Sequence, residues 1–356
     1  MRVALFSATL LSLLGLTAGL PKFPEETSGT FDAIPVSSMN ETEISQYNRR
    51  QADTAALYPR LVHGSQFSRR FEFLSLFKKP KPGVSYSAMR DEGGCKTADE
   101  IAKDVARFTK TYSFIRLYSP DCDQVKNTLA AAKKHDMQLF LGTRPKLPVA
   151  DEIKKIADQV KGDWSMVDTV AIGNEYMLEL KLDPKNKGSV GQILAKLAEG
   201  REELKKVGYH PDKVKHAKVV LNEVWWHALE NPALCDDSDY CTVNFHPYFD
   251  ENHGTEKAGQ FMLDMVKKMR DTFKKNKRIH ITETGWPTKD GDADRNPASP
   301  LRGRASVANQ KRVLKDIKEK LGGKPGELVL MSPNNDRWKA AGAPDDHVEK
   351  NWGIVE

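Results

Sequence analysis

Ile279-His280-Ile281-Thr282-Glu283-Thr284-Gly285-Trp286-Pro287-Thr288 begins as a strand and ends as a turn. Ile279 and Ile281 alternate with His280 and Thr282, the period of a pleated strand, and Gly285 and Pro287 then interrupt it. Glu283 closes the apolar run. A carboxylate in that position is costly to desolvate, so it usually has a task there. About a hundred residues earlier, Val170-Ala171-Ile172-Gly173-Asn174-Glu175 repeats the arrangement. One such Glu is most simply a strand end paired with a Lys or Arg. Two in matching settings point to a shared site.

On either side of these two runs the chain alternates short apolar stretches with amphipathic ones. The spacing predicts strands at Gly83–Ser87, Phe114–Tyr118, Met137–Thr143, Asp168–Asn174, Ala217–Asn222, Tyr240–His246, Arg278–Glu283 and Glu327–Ser332. Helical periodicity fills the gaps at Thr97–Lys110, Cys122–His135, Val149–Lys161, Val190–Val207, Thr255–Lys275 and Ser306–Leu321. Thr97-Ala98-Asp99-Glu100 reads as a capping box, with Thr97 as N-cap and Glu100 at the third helical position. The fifth unit is the thinnest, because only the Trp-rich Trp225–Glu230 follows Asn222. The expected fold is α/β, a (β/α)8 TIM barrel. A doubly wound sheet is the alternative, but no Gly-x-Gly-x-x-Gly follows the first strand. Glu175 and Glu283 then end the fourth and seventh strands, on the face where such barrels carry their active sites.

The beginning of the chain bears on compartment. Arg2 precedes an apolar run from Val3 to Leu16 and small residues at Thr17-Ala18-Gly19, the pattern of a secretory signal peptide over residues 1–19. Residues 20–79 have little apolar periodicity and read as a disordered propeptide or linker. They hold the sequon Asn40-Glu41-Thr42, an aromatic-rich stretch from Phe67 to Phe77, and the pairs Arg49-Arg50 and Arg69-Arg70. A dibasic pair in a secreted chain is either a processing site or a solvated charge pair; for Arg49-Arg50 the two stand even. Residues 80–356 form the expected catalytic domain. Neither a later membrane span nor a C-terminal anchor signal is expected. Cys95, Cys122, Cys235 and Cys241 allow three pairings. Cys235–Cys241, closing a short loop, and Cys95–Cys122, joining neighbouring segments, are expected over four free thiols.

The net charge of +6 is modest for 356 residues, and the Lys pairs fall on helical faces. Solvated surface explains them better than nucleic-acid binding. The histidines are dispersed without a His-Glu-x-x-His spacing, and no Gly-x-Ser-x-Gly elbow occurs, so neither a metal, a cofactor nor a serine triad is expected. Two carboxylates facing one cleft match instead the acid/base and nucleophile pair of a glycosidase.

Ile172-Gly173-Asn174-Glu175 and Thr282-Glu283-Thr284-Gly285-Trp286-Pro287-Thr288, in that order, resemble glycoside hydrolase family 17 in its fungal cell-wall glucanase branch. Supporting pieces are Gly93-Gly94-Cys95, Ile115-Arg116-Leu117-Tyr118, Asn231 to Asp236 and Asn335-Asp336-Arg337-Trp338-Lys339. The resemblance runs from Gly83 to Ile354. It implies a secreted cell-wall enzyme acting on β-1,3-glucan by a retaining mechanism, with Glu175 as acid/base and Glu283 as nucleophile; a monomer is expected, though the sequence itself is silent on oligomeric state. It also implies that Asn174 hydrogen-bonds the sugar's 2-hydroxyl or the nucleophile. Tyr86 and Tyr118 are candidate sugar or nucleophile contacts, or else barrel-mouth core. His246 and Tyr248 are placed at a subsite wall, and Trp286 offers a ring for sugar stacking or a core anchor. Trp225 and Trp226 either line an acceptor subsite or plug the short fifth unit. Asp336 contacts sugar hydroxyls or pairs with Arg337 or Lys339. The chain departs from the branch after the third strand (Gly142 to Pro148), after the fourth (Tyr176 to Lys187) and at the eighth (Ser332 to Asp336). Hydrolysis, glucanosyl transfer and non-catalytic wall binding are the three functions to weigh, in that order.

Overall fold

The computed structural model describes residues 81–250, 252–275, 278–290, 305–322, 327–340 and 342–354. The expected signal peptide and propeptide or linker, with Asn40 and both dibasic pairs, lie outside the described residues. Eight parallel strands close into a barrel in chain order, β1 pairing with β8. They are β1 (Gly83–Tyr86), β2 (Phe114–Leu117), β3 (Gln138–Gly142), β4 (Val167–Ile172), β5 (Lys218–Val224), β6 (Cys241–Asn244), β7 (Ile279–Thr284) and β8 (Leu328–Leu330). The helices are α1 (Ala98–Phe108), α2 (Gln124–His135), α3 (Val149–Val160), α4 (Tyr176–Glu179), α5 (Lys187–Lys206), α6 (Trp225–Glu230), α7 (Ala233–Asp236), α8 (Ala258–Thr272) and α9 (Val307–Leu321).

Helix starts follow side-chain chemistry. Thr97 accepts from the Glu100 N–H while the Glu100 carboxylate accepts from the Thr97 N–H, the reciprocal capping box. Asn186 and Ser306 cap α5 and α9 in the simpler way. The fifth unit is covered by the short helices α6 and α7, and β5 runs two residues past Asn222, the predicted end. Backbone pairing with β6 extends through Val224 and explains the extra length.

Strand alternation sorts the apolar residues into two layers. Ile115, Leu117, Leu139, Leu141, Val170, Ile172, Leu221 and Val243 belong to the large core beneath the helices. Phe114, Phe140, Ala171, Val220, Tyr240 and Val329 form a separate cluster that fills the barrel. Two residues further along the same inner face, Phe114 gives way to Arg116 and Val220 to Asn222, both buried. The barrel interior is therefore apolar in its middle and polar at the C-terminal mouth. Both expected disulfides, Cys95–Cys122 and Cys235–Cys241, are present.

Candidate active site

The two strand-end carboxylates meet at that mouth. Asn244 ends β6 and pairs in register with Glu283 on β7. Its side-chain Nδ2 lies 2.8 Å from Glu175 Oε1 and 2.8 Å from Glu283 Oε1. Oxygens sharing one nitrogen cannot be further apart than the sum of those contacts. That bound on the two nearest oxygens accommodates the roughly 5–5.5 Å of a retaining pair.

Glu175 reaches this position through an unusual turn. Gly173 has φ +78° and Glu175 φ +56°, and the Glu175 N–H donates to the Asn222 carbonyl at 2.8 Å. A Cβ on Gly173 would lie 2.0 Å from the Tyr176 ring, so both sterics and backbone require glycine there.

The two carboxylates have different neighbours. Glu283 is 6% exposed, and Arg116, 2% exposed, donates to its Oε1 at 2.6 Å. Burial pushes Glu283 up, but the Arg116 charge and the His246 ring outweigh it and hold the carboxyl down at about 2. Among the described residues, no cation pairs with Glu175. Burial raises it first, the Glu283 charge adds to this, and it stands at about 7. One acid is thus built to stay protonated and the other to stay ionised.

A polar lattice sets this geometry. Arg116 also donates to the Thr282 carbonyl at 2.9 Å and to Asn174 Oδ1 at 2.7 Å. Asn222 donates to Asn174 Oδ1 and to Asn244 Oδ1, each at 2.8 Å. Thr282 donates to Asn222 and Asn244. His246 Nε2 lies 3.4 Å from Glu283 Oε2, the oxygen not engaged by Arg116 or Asn244. Arg116, Asn222 and Asn244 were absent from the sequence-derived candidates. The available signal was the period of two from Phe114 and Val220, which turns both Arg116 and Asn222 into the barrel, where a charge needs a partner.

A cavity of about 560 Å3 opens over the pair. Of the sequence candidates, Tyr86, Tyr118, Asn174, His246 and Asp336 line it with the two Glu residues. Tyr86 gives its hydroxyl to Asp104 at 2.8 Å, and Asp336 pairs with Lys339 at 3.3 Å. The Arg116 guanidinium lies 4.6 Å from the centre of the Tyr118 ring. Tyr248 and Trp286 are buried behind the wall, edge to face with each other, and do not line the cavity. Tyr248 also packs against Trp352, which does line it, together with Phe249 and Trp338. Trp225 stacks on Phe245 and leaves Trp226 partly exposed, with neither in the lining. Arg144, from the divergent loop after β3, lines the cavity and is held by Glu152 and Asp121.

A closed (β/α)8 barrel with a buried, oppositely tuned carboxylate pair at its C-terminal mouth is the scaffold of a glycosidase. The family model described as the BtgE/BtgC glycoside hydrolase domain matches residues 83–353, and the chain belongs to that family. The cell surface mannoprotein MP65 of Candida albicans is 35% identical over 276 residues, covering 76% of this chain and 66% of its own length. The probable family 17 glucosidase SCW4 of Saccharomyces cerevisiae is also 35% identical, over 80% of this chain and 67% of the relative. The chain thus spans about two thirds of the length of these relatives. Among solved structures, a family 17 β-1,3-glucanosyltransferase from Rhizomucor miehei superposes with TM-score 0.61 at 19% identity, covering 77% of this chain and 92% of that one. At that identity the likeness concerns the fold.

Proposed function

We propose that this glycoside hydrolase is a cell-wall enzyme that cleaves β-1,3-glucan with retention, Glu175 serving as acid/base and Glu283 as nucleophile. The observation that carries this reading is the shared Asn244 contact between one carboxyl at about 7 and another at about 2. The names of relatives, a cell surface mannoprotein, a family 17 glucosidase and a β-1,3-glucanosyltransferase, support the substrate and the location.

Glu283 Oε1 is occupied by Arg116 and Asn244, which leaves Oε2 as the attacking atom. As Oε2 bonds to the anomeric carbon, the glycosidic C–O bond breaks and Glu175 delivers its proton to the departing oxygen. Glu175, now ionised, then takes a proton from water, whose oxygen displaces Glu283 from the sugar. Asn174 stands next to both carboxylates, with its Oδ1 saturated by Arg116 and Asn222, so its NH2 is the group that meets a sugar hydroxyl.

A second outcome uses the same chemistry with a sugar hydroxyl in place of water. Phe249, 41% exposed and lining the cavity, supplies an apolar face on which an acceptor ring can rest, and keeps transfer in view. A timed product profile on a reduced β-1,3-glucooligosaccharide, wild type beside Glu283→Gln, decides between them. Products shorter than the donor mean hydrolysis, and longer ones mean transfer. Both must vanish in Glu283→Gln; full activity in that variant overturns the assignment.

A further inference from the structure

The central cavity does not end at the eighth strand. Met89, from the loop after β1, and Asp336, from the loop after β8, line it and also line a second cavity of about 600 Å3. The two cavities are linked again through Tyr86, which lines the first and gives its hydroxyl at 2.8 Å to Asp104 on α1, which lines the second. The outer cavity is built from the β1 and β8 loops and from α1. Its two loops are joined: the Arg337 N–H donates to Asp91 Oδ1 at 3.3 Å, and the Arg337 guanidinium lies 4.0 Å from Oδ2. The catalytic steps above leave this space without a task.

Its lining holds four basic side chains against five acidic ones and no aromatic ring. Most of these charges are already coupled. Arg90 holds Glu100 by two bonds, at 2.7 and 3.2 Å, and Lys96 lies 2.8 Å from Asp104. An anionic ligand calls for a surplus of positive charge, and this lining has none. Partly exposed ion pairs still present N–H donors and carboxylate acceptors side by side. A sugar hydroxyl both donates and accepts, so a neutral, hydroxyl-rich chain is the ligand that such a surface suits.

The barrel decides which part of a glucan arrives there. Glu175 follows β4, and the acid protonates the departing oxygen, so the leaving portion lies on that side. In a closed barrel of eight strands in chain order, β8 stands opposite β4. The portion that stays on Glu283 therefore runs away from Glu175, toward β8 and β1. We propose that the outer cavity holds the donor glucan on the non-reducing side of the cleaved bond, beyond the sugars seated in the central cavity. The enzyme then cuts within a chain and not from its tip. The proposal rests on Glu175 being the acid/base and β-1,3-glucan the substrate.

Glu92→Trp, on the β1 loop, and Lys103→Trp, on α1, provide the test. Both positions are exposed and line the outer cavity but not the central one. The kcat/KM and the position of the cut are measured on reduced laminarioligosaccharides of increasing length, the alditol marking the leaving end. Wild type should gain kcat/KM as the donor lengthens and should leave several glucose units on the non-reducing side of the cut. In the variants long donors should lose about tenfold, the equivalent of one or two hydrogen bonds, and shorter donors progressively less. A length-dependent loss in either variant upholds the proposal. Release of single glucose units from the non-reducing end by wild type, or losses in both variants that are absent or equal at every length, would overturn it. Titration of the same oligosaccharides into Glu283→Gln, with and without Glu92→Trp, separates the two readings. Full activity in Glu283→Gln removes the catalytic assignment. An active wild type, a silent Glu283→Gln and an affinity for long chains indifferent to Glu92→Trp remove the outer cavity alone.

Discussion

Glu175 and Glu283 are the same side chain with the same unperturbed pKa, and what separates them is the Arg116 guanidinium and the His246 ring beside Glu283. In the proposed mechanism Glu175 acts protonated and Glu283 ionised, so kcat/KM should fall as pH rises through about 7 and hold on the acid side down toward about 2. A pH–rate profile checks both limbs. In Arg116→Gln the burial of Glu283 loses the largest of the groups that oppose it, leaving His246. The acid limb should then rise into the measurable range, kcat should drop by about 10²–10³, and breaking the buried pair should cost about 3–5 kcal/mol in denaturant unfolding. Stability follows linkage with opposite signs at the two sites. The Glu283 contribution is present above its unfolded value of 4.5 and is lost as pH falls toward about 2. Glu175, raised in the fold, costs stability as pH rises from 4.5 through about 7, so Glu175→Gln should gain on wild type across that window.

The turn after β4 is the element on which the site depends, because it converts a strand end into a helix start within three residues. Gly173 permits it by adopting a positive φ and leaving room for the Tyr176 ring. Gly173→Ala meets both obstacles, and it should destabilise the fold by about 1–3 kcal/mol while lowering kcat at least tenfold, Glu175 being displaced. Thermal unfolding alongside steady-state kinetics reads the two effects. Much of this element was legible beforehand: the apolar run, the Gly and the terminal Glu all stood in Ile172-Gly173-Asn174-Glu175. The short helix after it was not, since four residues show no helical period and the Met177 N–H in its first turn is met by Glu223 from another strand. Tyr248 and Trp286 illustrate the opposite case. Each sits near a strand end, yet both are buried: Trp286 packs on Tyr248, and Tyr248 on Trp352, a residue contributed by the far end of the chain.

At the scale of the molecule, eight short strands and their helices leave the loops at the mouth to be fixed by cross-links and ion pairs. Cys95–Cys122 closes a separation of 27 residues and ties the loop after β1 to the loop after β2, and Cys122 lines the cavity. Replacing both cysteines by Ser should cost about 3–4 kcal/mol by chain entropy and should raise KM as well. Cys235–Cys241 spans a separation of only 6, and neither cysteine lines the cavity. Its removal should cost about 2 kcal/mol and leave KM unchanged. Melting curves and KM for the two double variants distinguish a tether that shapes the cleft from one that only braces the fold. Arg144, bonded to Glu152 and Asp121, and Lys146, paired with Glu179, extend that bracing around the mouth across the β2, β3 and β4 loops.

The sequence by itself determined the barrel and the two carboxylates that end its fourth and seventh strands. Alternation at period two, the spacing of helical faces and the position of a charge at the close of an apolar run are local properties, readable along one dimension. Only the tertiary structure decided which carboxyl holds a proton and which does not. That difference arises from Arg116 on β2, Asn244 on β6 and burial beneath loops from elsewhere in the chain. These groups are far apart in sequence and adjacent only once the sheet closes, because an electric field acts through space and not along the backbone.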